Sequence, residues 1–164
     1  MTAKDKHLND LFLDTLKDIN YAEKQILRAL PKMAKAASSD KLRAAFEKHH
    51  GETEGQVERL EEIFELMEKP ARGKTCDGIQ GILDEGKEVM EEYKGSDALD
   101  AAMLAAAQAV EHYEMTRYGT LVAWAKQIGR NDCANVLQQN LDEEKAADMK
   151  LSTLAEGNVN RKAA

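Results

Sequence analysis

The sequence is poor in cysteine, proline and aromatic residues. Its two cysteines, Cys76 and Cys133, lie far apart and in no C-x-x-C motif, so the pattern predicts neither a disulfide framework nor a structural zinc site. No apolar run approaches the roughly 20 residues that span a bilayer. Residues 1–10 are polar and lack the apolar core of a signal sequence. We therefore expect a soluble, cytoplasmic protein that does not bind membranes.

The charge balance excludes a further class of partner. The formal net charge is −7, and no cluster of lysine and arginine residues offsets it, which opposes binding to nucleic acid and to anionic lipid. The 164 residues are 43% hydrophobic and 32% charged, and they are rich in the alanine, leucine, glutamate and lysine that favour helices. This length and composition predict one all-α domain over residues 1–164.

Apolar residues recur in alternate steps of three and four, which is the helical period. Such stripes cover residues 8–33, 42–67, 79–93, 99–125 and 136–155. Pro31 is expected to end or kink the first helix, and the tail 157–164 is expected to be frayed. The residues expected to cap the second, third and fourth long helices are Ser38, Ser39 or Asp40; Ser96 or Asp97; and Asn131 or Asp132.

The order of these helices predicts the fold. Two long helices joined by a tight turn are followed by a long connection and a second such pair. This is the connectivity of a ferritin-like four-helix bundle with one long crossover. The crossover would carry the shorter helix at 79–93.

Acidic residues interrupt the apolar stripes at similar positions in all four long helices. Each lies 14 or 15 residues from its predicted turn, about 20 Å along a helix: Glu23, Glu52, Glu114 and Glu144. A carboxylate buried alone costs several kcal/mol, so a layer of four predicts bound cations. The alternative for each residue is an ion pair with lysine or arginine. His49 and Glu111, three residues before Glu52 and Glu114, share their helix faces.

Several motifs resemble a known family. They are Tyr-Ala-Glu-Lys-Gln at 21–25, Glu-Thr-Glu-Gly-Gln-Val-Glu-Arg-Leu at 52–60, Ala-Ala-Gln-Ala-Val-Glu-His-Tyr-Glu at 106–114, Tyr-Gly-Thr-Leu at 118–121 and Glu-Glu-Lys-Ala-Ala-Asp at 143–148. Over nearly its whole length the chain resembles the YciE/YciF family of bacterial stress-associated ferritin-like proteins. This resemblance implies a cytoplasmic helical bundle, usually a homodimer, with a dinuclear metal site.

The chain departs from the wider ferritin-like pattern, in which two helices each supply a Glu and two each supply Glu-x-x-His. Gly55 and Ala147 occupy the positions at which the two histidines are expected. The second helix instead has His49 three residues before its glutamate. The third helix has Glu111 before its glutamate, which resembles the two-carboxylate helix of rubrerythrin-like sites.

The predicted site therefore contains one imidazole and five carboxylates. The candidate metal ligands are Glu23, His49, Glu52, Glu111, Glu114 and Glu144. The candidate hydrogen-bond partners of these ligands, each about one turn away, are Gln56, Tyr118 and Asp148. Four alternatives stay open: His49 as an ordinary core histidine, Glu111 as a residue that orients a ligand, Tyr118 as a packing residue, and Asp148 as a direct ligand or an acid that stabilises the bundle.

A hard, anionic ligand set suits iron or manganese, so two ions of either metal are the expected cofactor. The predicted function is oxidation of Fe(II) or consumption of peroxide during stress, with peroxide or dioxygen as the oxidant. An enzyme of this kind would be a di-metal oxidoreductase with ferroxidase, peroxidase or catalase-like activity. The alternative is a non-enzymatic helical stress or scaffold protein whose metal site is structural or vestigial, which the missing histidines favour.

Apolar residues beyond those needed for one bundle seam also predict a homodimer. They are Met103, Met115, Val122 and Trp124.

Overall fold

The computed structural model describes residues 5–164. Within this range the chain is helical and has no strand. The elements are α1 (Leu8–Ala36), α2 (Asp40–Leu66), α3 (Asp77–Glu92), α4 (Leu99–Gln127), α5 (Asn131–Leu154), a π-helical turn (Ala155–Val159) and α6 (Asn160–Ala163). The predicted all-α class, with four long helices and a shorter connector helix, is confirmed. None of the described helices is long and apolar enough to cross a membrane.

Helices α1, α2, α4 and α5 form the bundle, and α3 packs outside it against α4 and α1. The two tight turns lie at opposite ends of the bundle. The backbone amides of Ser38 and Ser39 donate to the Asp100 carboxylate, both at 2.8 Å, so the first turn lies beside the start of α4. Arg130, in the second turn, donates to the Leu66 carbonyl oxygen at 2.7 Å. The connection that carries α3 therefore spans the bundle from end to end.

Apolar layers fill the bundle above and below its middle. One layer lies toward the α1–α2 turn and is formed by Ile26, Leu30, Leu42, Phe46, Met103, Leu104 and Leu151. The other lies toward the α4–α5 turn and is formed by Phe12, Leu16, Leu60, Ile63, Phe64, Leu121 and Leu137. Polar side chains are concentrated between these layers, where helices of 24 to 29 residues have their midpoints.

Some local predictions were wrong. Helix α1 does not end at Pro31 but continues to Ala36, and Ala34 and Ala37 pack in the core; a kink at Pro31 stays a prediction. The tail is helical instead of frayed because Val159 is buried. Ser39 caps α2 as predicted, since its Oγ accepts from the Leu42 amide at 3.4 Å.

The N-caps of α4 and α5 differ from those predicted, because the side chains of Ser96 and Asp132 bind other groups. The Ser96 hydroxyl donates to the Tyr93 carbonyl oxygen, and α4 begins after Ala98. The Arg130 guanidinium holds the Asp132 carboxylate, and Arg130 itself precedes the first residue of α5.

The apolar residues that predicted self-association divide into two groups. Met103 and Val122 are buried within the chain, so they are core residues. Met115 and Trp124 are only half-buried, and they remain the support for the predicted homodimer.

Candidate metal centre

Four of the predicted ligands come together in the middle of the bundle. His49 of α2, Glu111 and Glu114 of α4 and Glu144 of α5 each offer a ligand atom, and these atoms all lie within 4.8 Å of one another. All four side chains are buried. The helical period explains this, because positions three residues apart on α4 place two carboxylates on the inward face. We call these four residues the central group.

The imidazole of His49 lies close to three carboxylates. Its Nε2 is 3.4 Å from Glu111 Oε1 and 3.6 Å from Glu144 Oε2. Its Nδ1 is 3.5 Å from Glu52 Oε2. Neither nitrogen has a hydrogen-bond partner among the described residues. The contact between His49 and Glu52 is also the one expected of an ordinary core histidine, so both roles considered for His49 stay predictions.

Glu23 lies outside the central group but next to it. Its side chain is fully buried, and its Oε1 accepts a hydrogen bond from the Tyr118 hydroxyl. Its other oxygen, Oε2, has no partner in the described part of the chain. The predicted contact between Tyr118 and a candidate ligand is thus present, and it crosses from α4 to α1.

Glu52 differs most from its predicted position. Its side chain is 24% exposed, and it accepts from Lys48. The inward positions on this part of α2 belong to His49, Thr53 and Gln56. The middle layer therefore has a buried carboxylate from three long helices and an imidazole from the fourth, whereas the sequence predicted a carboxylate from each. Glu52 contacts the layer only through His49.

Gln56 is buried on α2, and its predicted hydrogen bond to a ligand carboxylate stays a prediction. Its amide nitrogen donates to Glu143 Oε2 at 3.1 Å, and its Oε1 has no partner among residues 5–164. Arg59 donates to both Glu143 and Asn140. This network was not predicted from the sequence, although a polar residue on the apolar stripe of α5, Asn140, could have indicated it.

Asp148 lies away from the central group. Its Oδ1 accepts from Gln108 at 3.0 Å and is 3.2 Å from the His112 ring. It reaches the centre only as a negative charge that helps to raise the pKa of Glu111. Asp148 therefore pairs with Gln108 and His112 near the surface of the bundle.

Burial disfavours the ionised form of the inner carboxylates. Burial, together with the charge of Glu144, raises the pKa of Glu23 from 4.5 to about 8. Burial also raises the pKa of Glu111 to about 7. For Glu114 and Glu144, burial raises the pKa well above its ordinary value. Burial therefore favours the protonated form of all four carboxyl groups.

For His49 and Glu52, in contrast, the surroundings favour the ionised form. Burial alone would lower the pKa of His49, but the nearby carboxylates of Glu52, Glu144 and Glu23 raise it. Contact with His49 and then with Lys48 lowers the pKa of Glu52. Hence Glu52 is the carboxylate that stays ionised most readily.

The donor atoms fit a metal. Buried atoms without a hydrogen-bond partner in the described chain include Glu23 Oε2, both nitrogens of His49, Glu111 Oε2 and both oxygens of Glu114 and of Glu144. An unpaired buried polar atom costs about 1–3 kcal/mol, and more when charged, and a group of this many buried donor atoms could hold a metal ion. Carboxylate oxygens with one imidazole are donors suited to iron or manganese.

Comparison with known proteins identifies the family of the chain. The family described as "Domain of unknown function (DUF892)" matches residues 7–164. Over 159 residues the chain is 44% identical to protein YciF of Escherichia coli K12, covering 96% of each protein.

Solved structures give the same picture. The crystal structure of the E. coli stress protein YciF matches with a TM-score of 0.90 at 43% identity, covering 95% of this chain and 99% of that one. YcfI from Rhodopseudomonas palustris, for which a structural role has been suggested, matches with a TM-score of 0.90 at 44% identity, covering 93% and 98%. A Xanthomonas campestris protein at 20% identity, with a TM-score of 0.74 over 94% of each chain, shares the fold. The chain therefore belongs to the DUF892 family, which confirms the resemblance to the YciE/YciF proteins that its motifs indicated.

Proposed function

We propose that this protein holds two iron or manganese ions in the middle of its bundle and uses them to oxidise Fe(II) or to consume peroxide. The observation that carries the proposal is the central group, whose buried donor atoms lie within 4.8 Å of one another and lack hydrogen-bond partners. The two helix pairs joined by an end-to-end crossover support a ferritin-like bundle, in which such sites are built from facing helices.

The residues divide the task of holding two ions. Glu114 and Glu144, from neighbouring helices, would both bind the ions. Glu23 supplies its free Oε2 on one side, and its Oε1 is fixed by Tyr118. His49 and Glu111 would bind the ions as well, and Glu52, which lies beside His49, is a further candidate ligand. When bound, iron or manganese provides redox chemistry and a Lewis acid.

The protein itself contributes exclusion of water and control of protons. Apolar layers on both sides shield the middle of the bundle. Glu23 and Glu111, with pKa values near 8 and 7, release protons as cations enter and accept them as cations leave. The description of YciF as a stress protein supports a role in oxidative stress, with peroxide or dioxygen as the oxidant.

The direct test combines metal loading with two assays. The protein is loaded with Fe(II) or Mn(II), its metal content is measured, and Fe(II) oxidation and peroxide loss are followed separately. Glu114→Gln removes a central ligand, whereas Glu62→Gln changes an exposed glutamate of α2 and serves as the control. We expect about two ions per chain in the wild type and in the control, and activity that is lost with Glu114→Gln. Wild-type protein without transition metal would contradict the proposal.

A structural ion is the second candidate function. The central group has four residues, and four protein ligands are the usual complement of a closed structural site. In that case one ion would bind per chain, the melting temperature would rise on loading, and both assays would stay at background. The ratio of metal to protein therefore separates the two candidates before any activity is measured.

A further inference from the structure

A cleft of about 500 Å³ opens between α2 and α5 beside the central group. Its floor includes His49, Glu52 and Glu111. Its rim carries three lysines, Lys41 and Lys48 from α2 and Lys150 from α5. Because Glu114, Glu144 and Glu23 do not line it, the cleft reaches only one side of the centre.

Small residues keep this part of the seam open. The walls are formed by Ala44, Ala45, Ala146 and Ala147. Ala147 occupies the position where the Glu-x-x-His pattern would place a histidine, so the missing ring leaves space beside Glu111. Further toward the α4–α5 turn the same seam is closed, because Arg59 of α2 binds Glu143 and Asn140 of α5.

A buried group without a partner faces this space. His49 is 5% exposed and lines the cleft, and both of its ring nitrogens lack hydrogen-bond partners in the described chain. Glu111, which is 3% exposed, contributes an unpaired Oε2 to the same floor. The floor is therefore equipped to act on a small molecule that arrives through the cleft.

The rim selects the charge of that molecule. Lys48 is bound to Glu52, so this pair is nearly neutral, while Lys41 and Lys150 are exposed on opposite walls. Two to three ammonium groups at a narrow opening attract anions and repel cations. The path suits an anionic ligand far better than a ferrous ion.

Resting on the proposed function, we propose that this cleft admits small monoanions to the metal centre, where they bind on the side of His49 and Glu111. The reactive ligand is then an anion, such as a deprotonated peroxide or a carboxylate of similar size. Fe(II) acting as a substrate would have to enter elsewhere. The inference names the class of molecule that reaches the centre and the face on which it binds.

Azide is the probe, because its binding to ferric protein can be followed by absorption. Wild-type protein loaded with iron and oxidised is compared with the triple variant Lys41→Gln, Lys48→Gln, Lys150→Gln. The control variant, Lys69→Gln, Lys94→Gln, Lys126→Gln, removes the same charge from exposed positions outside the cleft. At low salt we expect about tenfold weaker azide binding in the cleft variant and no change in the control. The difference should shrink as ionic strength rises.

The outcomes separate this inference from the proposed function. Equal weakening in both triple variants, or no azide binding to iron-loaded wild type that oxidises Fe(II) normally, would overturn the inference and leave the function standing. Absence of bound iron would remove both. Circular dichroism verifies that the variants fold, which their exposed positions favour.

A second variant tests the path sterically. Ala147→Leu places a larger apolar side chain in the cleft wall without adding a ligand atom. We expect unchanged metal content and azide association slowed by about tenfold or more, while a rate equal to wild type would contradict the assigned path. The same substitution at Ala123, an exposed alanine of α4 outside the cleft, should leave the rate unchanged.

Discussion

The two sides of the metal centre differ in exposure and in charge. On the inner side, Glu23, Glu114 and Tyr118 are fully buried, and burial raises the pKa of both carboxyl groups. On the cleft side, Glu52 is partly exposed, and its pKa is lowered by His49 and Lys48. The inner carboxyl groups therefore favour their protonated form, whereas Glu52 on the cleft side favours its ionised form. We therefore propose that the inner side provides the affinity for metal and that the cleft side provides access to it.

The largest expected effect is the difference in metal affinity between Glu114→Gln on the inner side and Glu52→Gln on the cleft side. Glu114→Gln should reduce metal affinity by at least about 100-fold, more than the loss typical for groups behind the ligands. It should also raise the melting temperature of the metal-free protein, because it removes an ionisable group from a crowded, buried site. Glu52→Gln should reduce affinity far less and leave the metal-free melting temperature unchanged. Metal titration and thermal unfolding measure both.

The opposite ranking of these two variants would contradict the comparison. If Glu52→Gln abolished metal binding while Glu114→Gln kept it, the cleft side would hold the metal.

The next effect is a dependence of stability on pH. The folded-state pKa values of Glu23 and Glu111, about 8 and 7, lie above the ordinary value of 4.5. These groups therefore stabilise the metal-free fold most at low pH, and that contribution is lost as pH rises from about 4.5 through 8. Between pH 6 and 9 we expect the melting temperature to fall by more than about 5 °C.

Bound metal should reduce this decline, since cations offset the ionised carboxylates. Thermal unfolding with and without Mn(II) at each pH measures the difference. A metal-free protein that becomes more stable as pH rises over this range would show that the inner carboxylates are not protonated in the fold.

A smaller effect is expected from the inner hydrogen bond. Tyr118→Phe leaves Glu23 Oε1 without its donor, which should cost about 1–3 kcal/mol in the free energy of unfolding and reduce metal affinity by about tenfold. Tyr113→Phe, on the same helix, removes a hydroxyl that contacts Cys76 and should leave metal affinity unchanged. Equal metal affinity in the two variants would argue against a role for Tyr118 at the centre.

The smallest effect is expected at the rim. Lys48→Gln breaks the pair with Glu52, but the lysine side chain is 73% exposed, and such pairs contribute little to stability. We expect a melting temperature within about 1 °C of wild type and metal affinity raised by about two- to threefold, because a cation near the centre is removed. A marked loss of stability would mean that this pair closes the bundle instead of bordering a cleft.

The fold was predictable because the apolar period defines each helix almost independently of the others. The depth of the acidic layer was also predictable, although the two turns lie at opposite ends of the bundle. Fifteen residues is close to half of a 27- to 29-residue helix, so positions counted from either end meet in the middle. In helices of very different lengths, positions counted from opposite ends would not lie at a common depth.

The phase of α2 could not be resolved from the sequence. Steps of three and four leave an uncertainty of one residue, which is about 100° around a helix. That uncertainty allowed Glu52 to be placed inward, where the structure has Thr53 and His49. The cleft could not be predicted from the sequence either, because it depends on the separation of α2 and α5.

The central claim is that Glu114 and Glu144, with His49 and Glu111, hold metal ions in the middle of the bundle. Anomalous diffraction at the iron and manganese edges from crystals of metal-loaded protein tests it most directly. We expect two peaks in the middle of the bundle, both near these four side chains and one of them also near Glu23 of α1. Anomalous peaks only at surface acids, with the central carboxyl groups bonded to one another, would contradict it.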